Sequence, residues 1–369
     1  MEATKSQTDQ PQLEIHIGES HSDQPGCSCR IKASISSALA RFHAGYFRIS
    51  LSLSSQALLW KTLSNPPQGA HSLRRMLGFL PTSAFILLWS LALSTTVALS
   101  VLYLLRCMLH YKKIKVEVGN NVGVNYLFVP WISCLFLIQS SPFNSPDFAS
   151  IHFILWWVFT VPIFILDVKI YGQWFTKGKN KFLSIVANPS SLLSVVGNLV
   201  GARGAAIMGW REVAIFMFAL GMTHYLVLFV TIYQRLQGSN SLPTRLKPVF
   251  FLVFAAPSMA ALAWDSISPN KFDNSSKMLF FVSLFNFLSL VCRPTLFKKS
   301  MKKFHVAWWA YSFPLTILAL ASAEYAQEVQ GVVAHSLMLA LSATSVTVTL
   351  LLMVFTAFKS NGLVPRTRQ

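Results

Sequence analysis

Apolar residues run along this chain in ten stretches, at about 42–63, 82–105, 121–139, 151–168, 190–208, 211–233, 247–268, 278–297, 306–324 and 333–358. Each is roughly 18–26 residues, the length a helix rising 1.5 Å per residue needs to cross ~30 Å of hydrocarbon. The pattern predicts an all-α membrane protein with ten transmembrane helices. Residues 1–41 are rich in Ser, Gln and acidic residues and poor in aromatics, which predicts a disordered tail. That tail has no apolar core, so the first span is expected to act as the insertion signal. The chain thus divides into a tail at 1–41, a ten-helix domain at 42–358 and a short C-terminal tail at 359–369.

The polar connections carry the orientation. The two tails and every second loop, with the adjoining span ends, hold 23 Lys or Arg, against 7 on the opposite side. Such a bias places the basic side, and with it both termini, in the cytosol. Short outward loops then make five helical hairpins. Their first members carry the helix-breaking residues: Gly45, Pro130, Gly197 with Gly201, Pro257 and Pro314. Among the second members only Pro162 and Gly221 stand centrally. A proline removes a backbone donor and frees the carbonyl four residues earlier, here that of Tyr126, Val253 or Ala310. Such groups need partners in a membrane, so the odd-numbered helices are expected to face protein or water, as a pore wall inside a sleeve. The competing reading is packing alone, because proline is common in membrane helices and Gly197/Gly201 is a small-xxx-small pair.

Composition narrows the function. With 53% hydrophobic and 12% charged residues, the chain lacks the polar surface of a large soluble domain. Its net charge of +18 sits at the ends of apolar segments rather than on one face, so no nucleic-acid partner is expected. Neither Gly-x-Ser-x-Gly nor His-Glu-x-x-His occurs, and the string from Gly172 to Lys179 has the wrong spacing for a phosphate loop. No enzyme, metal site or cofactor is expected. The thirteen acidic residues lie in the tail, in loops or at span ends. A cation route or an ion-coupled carrier normally places carboxylates inside the membrane, and with none central, little fixed negative charge is expected to repel an anion.

An anion in bare hydrocarbon faces a penalty on the order of 20 kcal/mol, which a hydrated polar lumen removes. Ser52 and Gln56 in span one, with Ser194 and Asn198 in span five, are candidates for lining it. Arg48 has two readings, as an anion-sensing charge or as a side chain snorkelling to the cytosolic interface.

Several strings carry a resemblance. They are Phe42-His-Ala-Gly45-Tyr-Phe-Arg48 running on to Ser-Ser-Gln56-Ala-Leu-Leu-Trp60, Lys169-Ile-Tyr-Gly-Gln-Trp174 and Val186-Ala-Asn-Pro-Ser-Ser191. With them go Ser194-Val-Val-Gly-Asn198, Tyr233-Gln-Arg235 and Ala307-Trp-Trp-Ala-Tyr-Ser-Phe313-Pro314. Together, over about residues 40–358, they resemble plant slow-type (S-type) anion channels, specifically the slow anion channel-associated homologues. That group lies within the wider tellurite-resistance/dicarboxylate transporter family.

The resemblance implies five hairpins around a central pore, odd helices inside, assembled as a trimer in the plant plasma membrane with one pore per subunit. It implies passive passage of chloride and nitrate, and a pore blocked by the aromatic ring of Phe313. Because Phe313 precedes Pro314, its backbone is expected to leave the helical region and aim the ring across the lumen. Two features depart from the pattern. The 41-residue tail is short beside the kinase-regulated termini of well-known members. Arg48 stands where strongly conducting members carry glycine, and resembles the shorter root-type branch. The alternatives are therefore a weakly conducting modulatory subunit that co-assembles with a homologous channel, or a dicarboxylate (malate) carrier.

Overall fold

The computed structural model describes residues 39–40, 42–65, 81–143, 149–172, 187–237, 244–269, 272–298, 300–302 and 304–363. The expected disordered tail lies almost wholly outside the described residues, as do the end of the C-terminal tail and most of the phosphate-loop-like string.

Every regular element among the described residues is helical. In chain order the principal helices are α1 Arg48–Ser64, α2 Thr82–Leu109, α3 Tyr111–Gly119, α4 Phe128–Gln139, α5 Ala149–Gly172, α6 Leu192–Ile207, α7 Arg211–Gln237, α8 Leu252–Ile267, α9 Asn274–Val291, α10 Trp309–Val329 and α11 Val332–Leu363. Short 3₁₀ turns lead into α1, α4, α6, α8 and α10. Local chemistry fixes several ends. Before α6 the Asn188 side chain accepts from the Ser190 N–H at 3.0 Å, and Pro189 follows with its φ already set for a helical turn. The α9 start is capped by Asp273, which accepts from the Ser276 N–H at 3.0 Å.

Among the described residues, eight helices are long and apolar enough to cross a bilayer, and the pair Tyr111–Gly119 with Val124–Gln139, bent by 107°, is a ninth candidate. The chain is a membrane protein. The continuous third span expected at 121–139 is instead a helix of twelve residues, Phe128–Gln139, preceded by a turn. The residues Gly119-Asn-Asn-Val-Gly123 explain this, since glycine and asparagine favour turns over helix. Pro130 consequently sits in the first turn of α4, where its missing N–H breaks no helical bond.

Burial divides the helices into two sets. The spans containing α6 and α10 are each 83% buried, whereas those of α2 and α9 are each 17% buried. Five buried helices pack in a closed cycle, α1 on α4, α4 on α6, α6 on α8, α8 on α10 and α10 on α1. Each outer helix covers a seam of that cycle: α5 touches α4 and α6, α7 touches α6 and α8, and α9 touches α8 and α10. The outer helices present apolar side chains such as Leu87, Leu104, Phe216 and Phe285. A cylinder apolar on its outside and small-residue-rich within suits lipid on one side and close helix packing on the other.

Candidate ion pathway

Phe313 lies in the fifth position of α10, 2% exposed, pointing into the space the five buried helices enclose. Its ring meets that of Phe136 from α4 edge-on, with centroids 5.9 Å apart and planes at 62°. The backbone stays helical through Phe313 and Pro314, so the expected departure from helix does not occur. Pro-containing membrane helices are the known exception to the pre-proline rule, because neighbouring helices hold the backbone in place. Pro314 leaves the Ala310 carbonyl without its intrahelical donor.

Next to Phe313 lies a cavity of about 20 Å³, room for one water-sized species. Its walls include Arg48 and Leu51 of α1, Leu193 of α6, Leu252 of α8, and Ala310 and Phe313 of α10. All belong to the first one or two turns of their helices. Arg48, the first residue of α1, is 9% exposed, and its guanidinium carbon sits 4.2 Å from the centre of the Tyr126 ring. Gly45 precedes it in the 3₁₀ turn; a Cβ there would lie 2.7 Å from the His43 ring, so glycine is what lets that ring fold back.

The remaining candidates are bonded between helices. Ser52 donates to the Trp309 carbonyl at 3.1 Å. The Gln56 carbonyl oxygen accepts from Thr316 at 2.9 Å and from Ser345 at 3.1 Å, tying α1 to α10 and α11. Ser194 bonds the Tyr171 hydroxyl of α5. Asn198 donates to Asp167 of α5 at 2.6 Å and to the Ser194 carbonyl at 3.0 Å. Ser194 and Asn198 therefore engage the outer helix α5, away from Phe313. Two α6 glycines face different outer helices: a Cβ on Gly197 would meet Ile163 of α5 at 3.3 Å, and one on Gly201 would meet Met217 of α7 at 2.5 Å. Pro257 frees the Val253 carbonyl, and the Tyr225 hydroxyl of α7 donates to it at 3.3 Å.

Three features were not singled out in the sequence. Phe136 gave no signal, being one of 29 phenylalanines. Asp167, 1% exposed, could have been suspected from an acid and Tyr171 four residues apart on one helix face. At the C-terminal ends of the buried helices, Lys61 donates to the Ser141 carbonyl at 2.8 Å and Arg203 to the Gln139 side chain at 2.8 Å. Asp265 and Glu324 lie within electrostatic reach of Arg203, so opposite charges balance at this end of the bundle.

A closed cycle of buried helices thus brings Phe313, Phe136 and Arg48 together, and comparison with known proteins decides the family. The sequence pattern of the voltage-dependent anion channel family matches residues 41–357. The chain belongs to that family. Among relatives, S-type anion channel SLAH1 of Arabidopsis thaliana is 54% identical over 360 residues, covering 96% of this chain and 92% of that protein. S-type anion channel SLAH4 of the same plant is 56% identical over 330 residues, covering 89% and 87%. The similarity extends at 23% identity to a tellurite resistance protein TehA homolog of Haemophilus influenzae, over 74% of this chain and 78% of that one. This chain is thus an S-type member of an anion channel family.

Proposed function

We propose that residues 42–358 form a passive chloride and nitrate channel in the plant plasma membrane, and that the Phe313 ring occludes it. The observation that carries this reading is Phe313 buried against Phe136 inside a closed cycle of five helices. An apolar ring in a narrow passage excludes water, and an ion stripped of water does not cross. Ten spans in five hairpins, with both termini cytosolic, are the topology that fits the loop charges. Each elementary charge gains ~2.3 kcal/mol per 100 mV, so a negative cytosol drives anions outward without coupling.

Assembly as a trimer, or as a heteromer with homologous subunits, is the arrangement that the sequence resemblance implies, with protein kinases as candidate regulators. A second reading, a modulatory subunit with little current of its own, is favoured by Arg48 beside Phe313. The test is purified protein in chloride-loaded liposomes with a potassium shunt. Passive chloride or nitrate release unaffected by a proton gradient supports the channel. Saturable, proton-driven malate uptake identifies a carrier instead. Absence of flux, together with altered current when a homologous channel is co-expressed, identifies the modulatory subunit.

A further inference from the structure

Arg48 is a cation in a place that does not favour one. It is nine-tenths buried at the head of α1, its Nε has no hydrogen-bond partner, and among the described residues it makes no ion pair. Its guanidinium lies over the face of Tyr126. An arginine keeps its charge in poorly hydrated sites, and a buried charge without a counter-charge destabilises the fold that holds it.

The surroundings of Arg48 are otherwise apolar. The cavity beside Arg48 is walled by the opening turns of four buried helices, α1, α6, α8 and α10. Each of these turns continues from a 3₁₀ turn, whose carbonyls already accept from N–H groups such as those of Leu192 and Trp309, so the positive charge at the cavity is that of the Arg48 guanidinium. Among the described residues no acidic side chain lines that cavity, and its volume of about 20 Å³ suits one small ion rather than a polyatomic organic acid. We propose that Arg48, in the wall of this cavity, forms a binding site for one small monovalent anion, immediately on the N-terminal side of Phe313. The bound anion supplies the missing counter-charge. On the topology proposed above this site faces the cytosol, so an anion waits there until the ring of Phe313 moves. Retention by a fixed charge then limits how fast the next ion passes.

The identity of the ligand rests on the anion-channel reading, whereas the existence of the site does not. The experiment is a thermal unfolding titration of the purified full-length protein, with chloride or nitrate replacing gluconate at constant ionic strength. The wild-type melting temperature should rise saturably with either small anion, as for any ligand that binds only the folded state. In Arg48→Gln, or in Arg48→Met, which keeps the stem's packing on Tyr126, the half-saturating concentration should rise at least about tenfold, as expected on losing a charged hydrogen bond. Both variants should also melt higher than wild type in gluconate, because an uncompensated charge has gone; a merely structural arginine would give the opposite sign.

The site is refuted if the wild type shows no saturable shift, or if either folded variant responds to chloride as wild type does. Current through Phe313→Ala without an Arg48-dependent shift refutes the site and leaves the channel. An Arg48-dependent shift with no current through Phe313→Ala refutes conduction and leaves the site.

Discussion

Phe313 and Phe136 touch edge-on at 5.9 Å although α10 and α4, which carry them, are not successive members of the buried helix cycle. Helix α1 lies between them in that cycle, so this contact runs through the enclosed space rather than along the wall. Two aromatic rings placed this way hold one another in position, a pairing worth about 0.5–1.5 kcal/mol beyond area burial. If Phe313 occludes the path as proposed, the occlusion is a property of the pair. Phe136→Ala should raise basal anion current, by less than Phe313→Ala does, because it loosens the stopper without removing it. The double variant should conduct no more than Phe313→Ala alone. Additive currents would show that Phe136 acts separately.

The Val253 carbonyl, freed by Pro257, is satisfied by Tyr225 from an outer helix. Tyr225→Phe leaves that carbonyl without a donor and should cost about 0.5–1.5 kcal/mol of stability, read as a lower melting temperature in detergent. Chloride-to-nitrate preference should not change. An altered preference would mean that the carbonyl faces the ion path.

Gly201 allows α6 and α7 to approach, since its absent Cβ would lie 2.5 Å from the Met217 methyl carbon. Gly201→Val should destabilise the protein by about 1–3 kcal/mol through overpacking. Shortening the opposing side chain with Met217→Ala should restore part of that loss. No recovery in the double variant would place the strain elsewhere.

Asp273 caps α9 at the edge of its span. Burial pushes its carboxyl upward, but hydrogen bonds from the Ser276 N–H, the Trp264 indole and the Ser268 hydroxyl outweigh this and hold it below the usual carboxylate range. A depressed folded-state value means that the charged form stabilises the fold. That stability is present above the unfolded carboxylate value near pH 4 and fades as pH falls through the lower folded value. Asp273→Ala should cost about 1 kcal/mol at neutral pH and less as the medium is acidified below about pH 4. A loss that grows with acid would contradict the cap.

The division into buried and lipid-facing helices was legible in the sequence, because glycine and proline concentrate where backbones approach closely and a neighbour can satisfy a freed carbonyl. Pro257 with Tyr225 is an instance; Pro130 is not, because the chain bends before it and the proline falls in a helix start. Which way a polar side chain points was less legible. Ser194 and Asn198 sit on a buried helix, yet their partners are Tyr171 and Asp167 of the sleeve, and Gln56 serves Thr316 and Ser345. A helix buried on all sides has no apolar face to set its rotation, so serine and asparagine are compatible with any direction. The convergence of Arg48 and Phe313 on one cavity is likewise a matter of how α1 and α10 cross, which spacing along the chain does not encode.

The most direct measurement is the chloride or nitrate current of Phe313→Ala in voltage-clamped cells, with surface expression checked against wild type. Replacing the ring with a methyl group is expected to let water and anions through the enclosed space. The current should then exceed that of wild type several-fold and reverse near the anion equilibrium potential. Unchanged current from protein shown to be at the cell surface would contradict an aromatic stopper in an anion path.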